Sequence, residues 1–347
     1  MPLEFALDTF GDVTRQPDGS LVPQDQVIRD VIEEAVLADR VGVDYFGLGE
    51  HHRDDFAISS PEVVLAAIAA RTRAIRLGTA VTVLSTDDPV RLFERFSTLQ
   101  ALSGGRAEIT VGRGSFTESF PLFGHDLADY DLLFEERLDL LLRLVREKRV
   151  TWEGRTRPAL RDVTLYPPLG DAGLKVWVGV GGSPQSVVRA VRHDVPMMLA
   201  IIGGDPRRFL PFAELYRQAQ EQAGRPARPL GVHSPGHVAE TDEQAFEEAW
   251  AGYRSLRERI GRERGWGPPG RDEFAAEVAH GAMHVGSPET VARKIAATVG
   301  ALGAGRFEMK YSQGTLPHEA MMRSIELYGT RVIPMVRELL GEARVVH

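Results

Sequence analysis

Residues Val41–Leu84 read VGVDYFGLGEHHRDDFAISSPEVVLAAIAARTRAIRLGTAVTVL. A short apolar run at Tyr45–Gly49 has strand character, Pro61–Thr72 has helical patterning, and Ile75–Leu84 is a second apolar run. Continuous apolar strands of this kind are expected where helices cover both faces of a parallel sheet. The same alternation runs outward in both directions. Further strands are expected near Glu4–Asp8, Ala107–Gly112, Lys175–Gly181, Pro196–Ile202, Gly231–Val238 and Arg306–Tyr311. Helical patterns fill the intervals at Gln24–Val41, Val90–Leu102, Leu132–Glu147, Pro184–Arg192, Pro206–Ala223, Glu243–Arg264, Pro288–Leu302 and Pro317–Leu340. Eight strand–helix units in 347 residues point to a single (β/α)8 TIM barrel spanning residues 1–347, with an open doubly wound sheet as the alternative. Three stretches exceed a minimal barrel: 115–131, an extra hairpin near 151–166, and the Gly/Pro-rich 265–286. Long loops after barrel strands shape active sites, and 265–286 is the candidate lid.

Composition narrows the function. A hydrophobic content of 43% suffices for a large core, and a net charge of −8 argues against nucleic acid or an anionic membrane as partner. The absence of cysteine removes disulfides, thiolate metal sites and a thiol nucleophile. The first residues, MPLEFALDTFGD, lack the basic and apolar regions of a signal peptide, and no apolar run nears the roughly 18 residues of a spanning helix. A cytoplasmic protein is expected.

In a barrel the chemistry gathers at the C-terminal strand ends. There the sequence places Glu50-His51-His52, then Gly112-Arg113-Gly114, then Gly181-Gly182-Ser183-Pro184 with Ser186. The glycines permit close ligand approach, Ser183 suits a helix N-cap, and free N–H groups plus two hydroxyls would suit a phosphate; a well-capped helix without ligand is the other reading. Arg113 either pairs with a rim acid or completes a phosphate clamp. Adjacent His51 and His52 point in different directions past a strand end, so they do not converge on a metal, and none is expected. One of them is either a hydrogen-bonded rim residue or a base titrating near neutrality. His233, His237 and Lys310 are each equally compatible with a core role. A Ser–His–Asp hydrolase lacks its Gly-x-Ser-x-Gly elbow.

Taken together, Gly47–Leu92, LSGGRAEITVGRGSF (Leu102–Phe116), VGGSPQSVVRAVRHDVPMMLAI (Val180–Ile201), GSPETVARKI (Gly286–Ile295) and Leu316–Arg337 resemble the bacterial-luciferase-like, flavin-dependent monooxygenases. The resemblance implies FMN as cofactor and His51, with His52 beside it, as the residues acting near the flavin. It implies that Gly112 and Arg113 contact flavin and phosphate, and that Ser183 and Ser186, after Gly181 and Gly182, hold the phosphate. Ala80–Val81 would align with a non-proline cis peptide beneath the ring, and Ile201 with a large aromatic residue near it. Two departures stand out: Gly112 replaces the luciferase cysteine, and Asp131 falls where a second phosphate-side arginine is expected. By the same resemblance, reduced flavin from a separate NAD(P)H:flavin reductase would react with O2 to a C4a-(hydro)peroxide and oxidise a small organic substrate. A pocket of Ile201, Phe116, Phe120 and the lid would suit an apolar one. A homodimer is also implied. A deazaflavin-dependent hydride-transfer enzyme and a non-catalytic flavin-binding paralogue are the competing readings.

Overall fold

The computed structural model describes residues 2–16, 18–114 and 116–341. Twelve strands occur there: β1 Glu4–Thr9, β2 Tyr45–Leu48, β3 Arg76–Thr79, β4 Thr82–Val83, β5 Glu108–Gly112, β6 Val150–Trp152, β7 Leu160–Val163, β8 Lys175–Val180, β9 Met197–Ala200, β10 Leu230–Val238, β11 His284–Gly286 and β12 Arg306–Lys310. Hydrogen bonding orders them β3-β2-β1-β12-β10-β9-β8-β5-β4, with every pairing parallel. A parallel bridge from Leu77 to Ala107 joins β3 to the entry of β5, so the sheet closes on itself. This is the (β/α)8 barrel, with β3 and β4 together filling one of its eight positions. The hairpin β6–β7 and the short β11, paired with β10, stand outside the ring.

The apolar faces of the surrounding helices and the outward residues of the strands form one large core, in which Phe5, Phe46, Ile109, Val178, Leu199 and Phe307 are fully or almost fully buried. The inward residues are different. Arg306 is wholly buried and donates to Glu4 and Glu108, with Nη2 2.7 Å from Glu4 Oε2 and 2.9 Å from Glu108 Oε2. Tyr45 and Trp177 sandwich its guanidinium at 4.6 and 4.4 Å, and Arg76 bridges the same two carboxylates. A charged plug, paired through Nε and Nη2 of Arg306, therefore seals the N-terminal end of the barrel, and the chemistry is left to the other end.

That plug carries a pH signature. Burial pushes Glu4 upward, but Arg306 and Arg76 more than reverse this and hold it at about 2 against an ordinary 4.5. A carboxyl depressed in the folded state stabilises it above the unfolded value and loses that contribution as pH falls through the folded one. Urea-unfolding free energy is therefore expected to decline between about pH 4.5 and pH 2, and Glu4→Gln to flatten that decline. An equally steep decline in the variant would show that other carboxyls govern acid stability.

Three elements differ from the sequence expectation. The run Ile75–Leu84 is not one strand: the Ala80–Val81 peptide is cis and takes both residues out of the ladder between β3 and β4. The 265–286 stretch contains the helix Arg271–His280 and β11 as well as loop, because Phe274 anchors it against Phe246, Trp250 and Tyr253. The last helical run is divided into His318–Leu327 and Ile333–Leu339 by a π turn at Tyr328–Val332, next to Pro334, which has no N–H to donate. Within 115–131 a short helix spans Ser119–Leu122, while Ser115 lies outside the described residues.

Candidate active site

At the C-terminal end of the barrel the inward positions of five successive strand segments carry almost no side chain. Gly47, Ala80, Gly112, Gly179 and Ala200 line this half of the mouth. Added β-carbons would collide there: one at Gly112 would sit 2.6 Å from Val81 Cγ2, and one at Gly47 3.0 Å from the Ala80 β-carbon. One at Gly179 would meet Val81 Cγ1 at 3.3 Å. Ala80 and Val81 stay only half-buried although they lie at the heart of the fold. The result is a shallow floor, flanking the cis peptide, that can accept a flat ring.

An anion clamp stands beside the floor. Ser183 caps the helix Pro184–Arg192 by accepting from the Ser186 N–H, and its hydroxyl donates to Ser186 Oγ at 2.8 Å. Arg113 Nη2 is 3.4 Å and Arg189 Nη1 3.2 Å from the same Ser186 oxygen. Gly182 adopts φ +98°, a left-handed conformation that lets the backbone turn into the helix start. Gly181 is exposed, with no atom within 4 Å of its would-be β-carbon. Arg113 also pairs with Asp131 at 2.9 Å and lies over Tyr130. No second arginine stands at Asp131, but Arg189, one helical turn beyond Ser186, is 7% exposed, paired with Glu135, and within reach of the Ser186 hydroxyl. Its reach to Ser186 follows from i, i+3 spacing on the helix, a signal readable in the sequence but overlooked there.

The two histidines have different surroundings. His51 stacks on Phe56 at 4.5 Å and is enclosed by Phe10 and Phe116 at 4.9 and 5.1 Å. Its Nδ1 is 3.2 Å from Glu118 Oε1. Burial raises the Glu118 carboxyl, but His51 together with the backbone N–H groups of Glu118 and His52 more than reverses this, and the net shift is downward. An ionised Glu118 accepts a proton donor at Nδ1, which leaves Nε2 as the basic nitrogen of a neutral ring. Nε2 has no protein partner among the described residues. His52 instead places Nε2 2.9 Å from Glu50 Oε1, while Glu50 Oε2 accepts from the Val83 N–H at 2.9 Å. His52 and Glu50 tie the loop after β2 to the cis-peptide segment. Nothing local in the sequence announced Glu118, which is brought to His51 from 67 residues away.

Other expected site residues lie elsewhere. Ile201 is fully buried in the main core, because strand alternation gives the inward position to Ala200. Phe120 is also fully buried, stacked on Tyr130 at 5.5 Å, so of the suggested pocket wall only Phe116 reaches the His51 environment. His237 pairs with Glu248 at 2.7 Å, and Lys310 with Asp12 at 2.8 Å. Among the described residues no cluster of His, Asp and Glu is arranged to hold a metal, and no helix is long and apolar enough to cross a membrane.

Residues 9–305 match the sequence model of a family described as luciferase-like monooxygenase. The 4-hydroxyprotoasukamycin monooxygenase of Streptomyces nodosus subsp. asukaensis is 28% identical over 319 residues, covering 87% of this chain and 85% of its own. The crystal structure of the monooxygenase RslO1 from Streptomyces bottropensis superposes with a TM-score of 0.82 at 25% identity, over 96% of this chain and 99% of its own. At lower identity the fold alone is shared with the oxygenating constituent of 3,6-diketocamphane monooxygenase from Pseudomonas putida in complex with FMN (TM-score 0.78, 20%, 96% and 98% covered). It is shared likewise with an F420-dependent secondary alcohol dehydrogenase (TM-score 0.76, 17%, 97% and 100% covered).

Proposed function

The chain belongs to the luciferase-like monooxygenase family, and from that premise we propose that it binds FMN at the barrel mouth and uses the reduced flavin with O2 to oxidise a small apolar substrate. The observation that carries this reading is the conjunction of a floor of glycine and alanine with a clamp of two arginines and two serines at its edge. A ring the size of isoalloxazine needs the first, and a phosphate dianion the second. Reduced FMN bound there supplies the electrons for oxygen activation.

The remaining work falls to this chain. Arg113 and Arg189 anchor the phosphate with Ser183 and Ser186, and Gly181 and Gly182 let it approach the backbone. Ala80 and Val81, the latter packed against Gly112, would support the ring. His51 holds or moves a proton at Nε2, in the tautomer that Glu118 sets, inside an aromatic wall of Phe10, Phe56 and Phe116 that excludes water and favours an apolar substrate. No Gly-x-Gly-x-x-Gly nucleotide fingerprint was found in the sequence, so the reduced flavin is proposed to come from a separate NAD(P)H:flavin reductase. A homodimer in the cytoplasm completes the proposal.

The clamp gives the test. Arg113→Ala is expected to weaken FMN binding by about 1.5–3 kcal/mol, the range for a charge-assisted hydrogen bond. Asp131→Ala should act in the opposite sense and more weakly, since that exposed carboxylate competes for the same guanidinium. Equilibrium fluorescence titration measures both, and an Arg113→Ala affinity equal to wild type would remove the clamp from the site.

A further inference from the structure

Deeper in the barrel, beside the glycine floor, four buried side-chain atoms make no hydrogen bond: both oxygens of Asp8, Nε2 of His233 and Oε2 of Glu308. They belong to three neighbouring strands. Asp8 on β1 is level with Lys310 on β12, and Glu308 on β12 is level with His233 on β10. His233 Nε2 lies 3.0 Å from Asp8 Oδ2, but at an angle that makes no hydrogen bond. Asp8 is wholly buried and Glu308 nearly so, whereas His233 keeps 12% of its side chain exposed and forms the edge open to water. Buried polar atoms in native interiors are almost always satisfied, so four together in one place need a reason.

Nearby charges do not supply it. Lys310 is engaged by Asp12 and Ser312, and Arg306 by Glu4 and Glu108 through Nε and Nη2; its buried Nη1 makes no hydrogen bond, and its charge acts on Glu308 from a distance. Tyr45, Tyr328 and Glu108 are the remaining titratable groups that act on Glu308. Two carboxyls and one imidazole are thus left facing one another. Burial and the Asp8 charge push Glu308 up to about 8. Burial alone would lower His233, yet Asp8 and, less strongly, Glu308 more than reverse this and its net shift is upward. The cluster also adjoins the floor: a β-carbon on Gly47 would lie 3.3 Å from the Asp8 β-carbon and 3.0 Å from that of Ala80.

We propose that Asp8, His233 and Glu308 form a buried proton-binding site that gains a proton when an electron-rich, anionic ring settles on the floor beside it. The proton comes from bulk water by way of the exposed edge of His233 and ends on the Glu308 carboxylate; no bond to the ring forms or breaks. The site's charge then stays nearly constant as the ring gains its negative charge, which favours binding of the reduced over the oxidised form. This rests on the FMN reading above.

Anaerobic calorimetric titration with reduced FMN and with oxidised FMN, each in two buffers of different ionisation enthalpy near pH 8, counts the protons taken up. The two ligands share one phosphate, so their difference isolates the ring. Reduced FMN is expected to take up on the order of half a proton more per site. Glu308→Gln should abolish this excess while both ligands still bind. His233→Gln, which removes the imidazole that lowers Glu308, should move the pH of maximal uptake upward, and keeps the test available if Glu308→Gln fails to fold. Equal uptake for the two ligands, or an excess that persists in Glu308→Gln, overturns the proton site while leaving the FMN reading intact. Failure of reduced FMN to bind overturns the FMN reading, and the proton site falls with it.

Discussion

His51→Ala is expected to lower substrate turnover by about 10²–10⁴-fold, the usual contribution of a positioned acid–base group, while changing FMN affinity only a few-fold. The two halves of this prediction follow from separate parts of the site. The phosphate clamp draws on Ser183, Ser186, Arg113 and Arg189, none of which touches His51. The imidazole is held by Glu118 at Nδ1 and by the face of Phe56, so Nε2 is the only ring nitrogen left for chemistry. Glu118→Gln should therefore give an intermediate loss, because an amide oxygen can still accept from Nδ1–H but no longer stabilises a cationic ring. A screen of apolar substrates with reduced FMN, followed by kcat and KM for both variants, checks the order. Wild-type turnover in His51→Ala would leave His51 with a packing role alone.

Arg306→Met is expected to cost about 3–5 kcal/mol of stability, since it leaves buried carboxylates facing one another without their shared cation. Glu108 has 4% of its side chain exposed and accepts from Arg306, Arg76 and the Trp177 indole. Methionine nearly matches arginine in length, so the loss would report charge and hydrogen bonding more than volume. Arg76 still reaches both Glu4 and Glu108, which places the effect toward the lower end of the range. Urea unfolding measures it, and a change below about 1 kcal/mol would mean that the plug at the base of the barrel is energetically dispensable. The site lies at the opposite end, so FMN affinity in the folded variant should be unaltered.

Most of the barrel was legible because its signals are local. Continuous apolar strands, a capped helix start at Ser183-Pro184, and glycines at strand ends each report on a few neighbouring residues. The hidden features depended on partners distant in sequence. Glu118 meets His51 across 67 residues, and Lys310 meets Asp12 across 298. Ile201 was misplaced by one position of strand alternation, which turns a side chain from the barrel interior to the core. The helix Arg271–His280 was hidden by the glycines and prolines before it, although one buried aromatic, Phe274, suffices to order the segment. Asp8, His233 and Glu308 sit on three strands, each unremarkable alone, and only barrel closure brings them together.

The central claim is that the floor and clamp are built for FMN. It is tested most directly by titrating the protein anaerobically with reduced FMN and, in parallel, with reduced deazaflavin, then admitting oxygen while following the absorbance spectrum. Preferential binding of reduced FMN, followed by an oxygen-dependent change slower than that of free reduced FMN, is the predicted result. Tight deazaflavin binding with no response to oxygen would contradict it and assign the same clamp to a hydride-transfer enzyme.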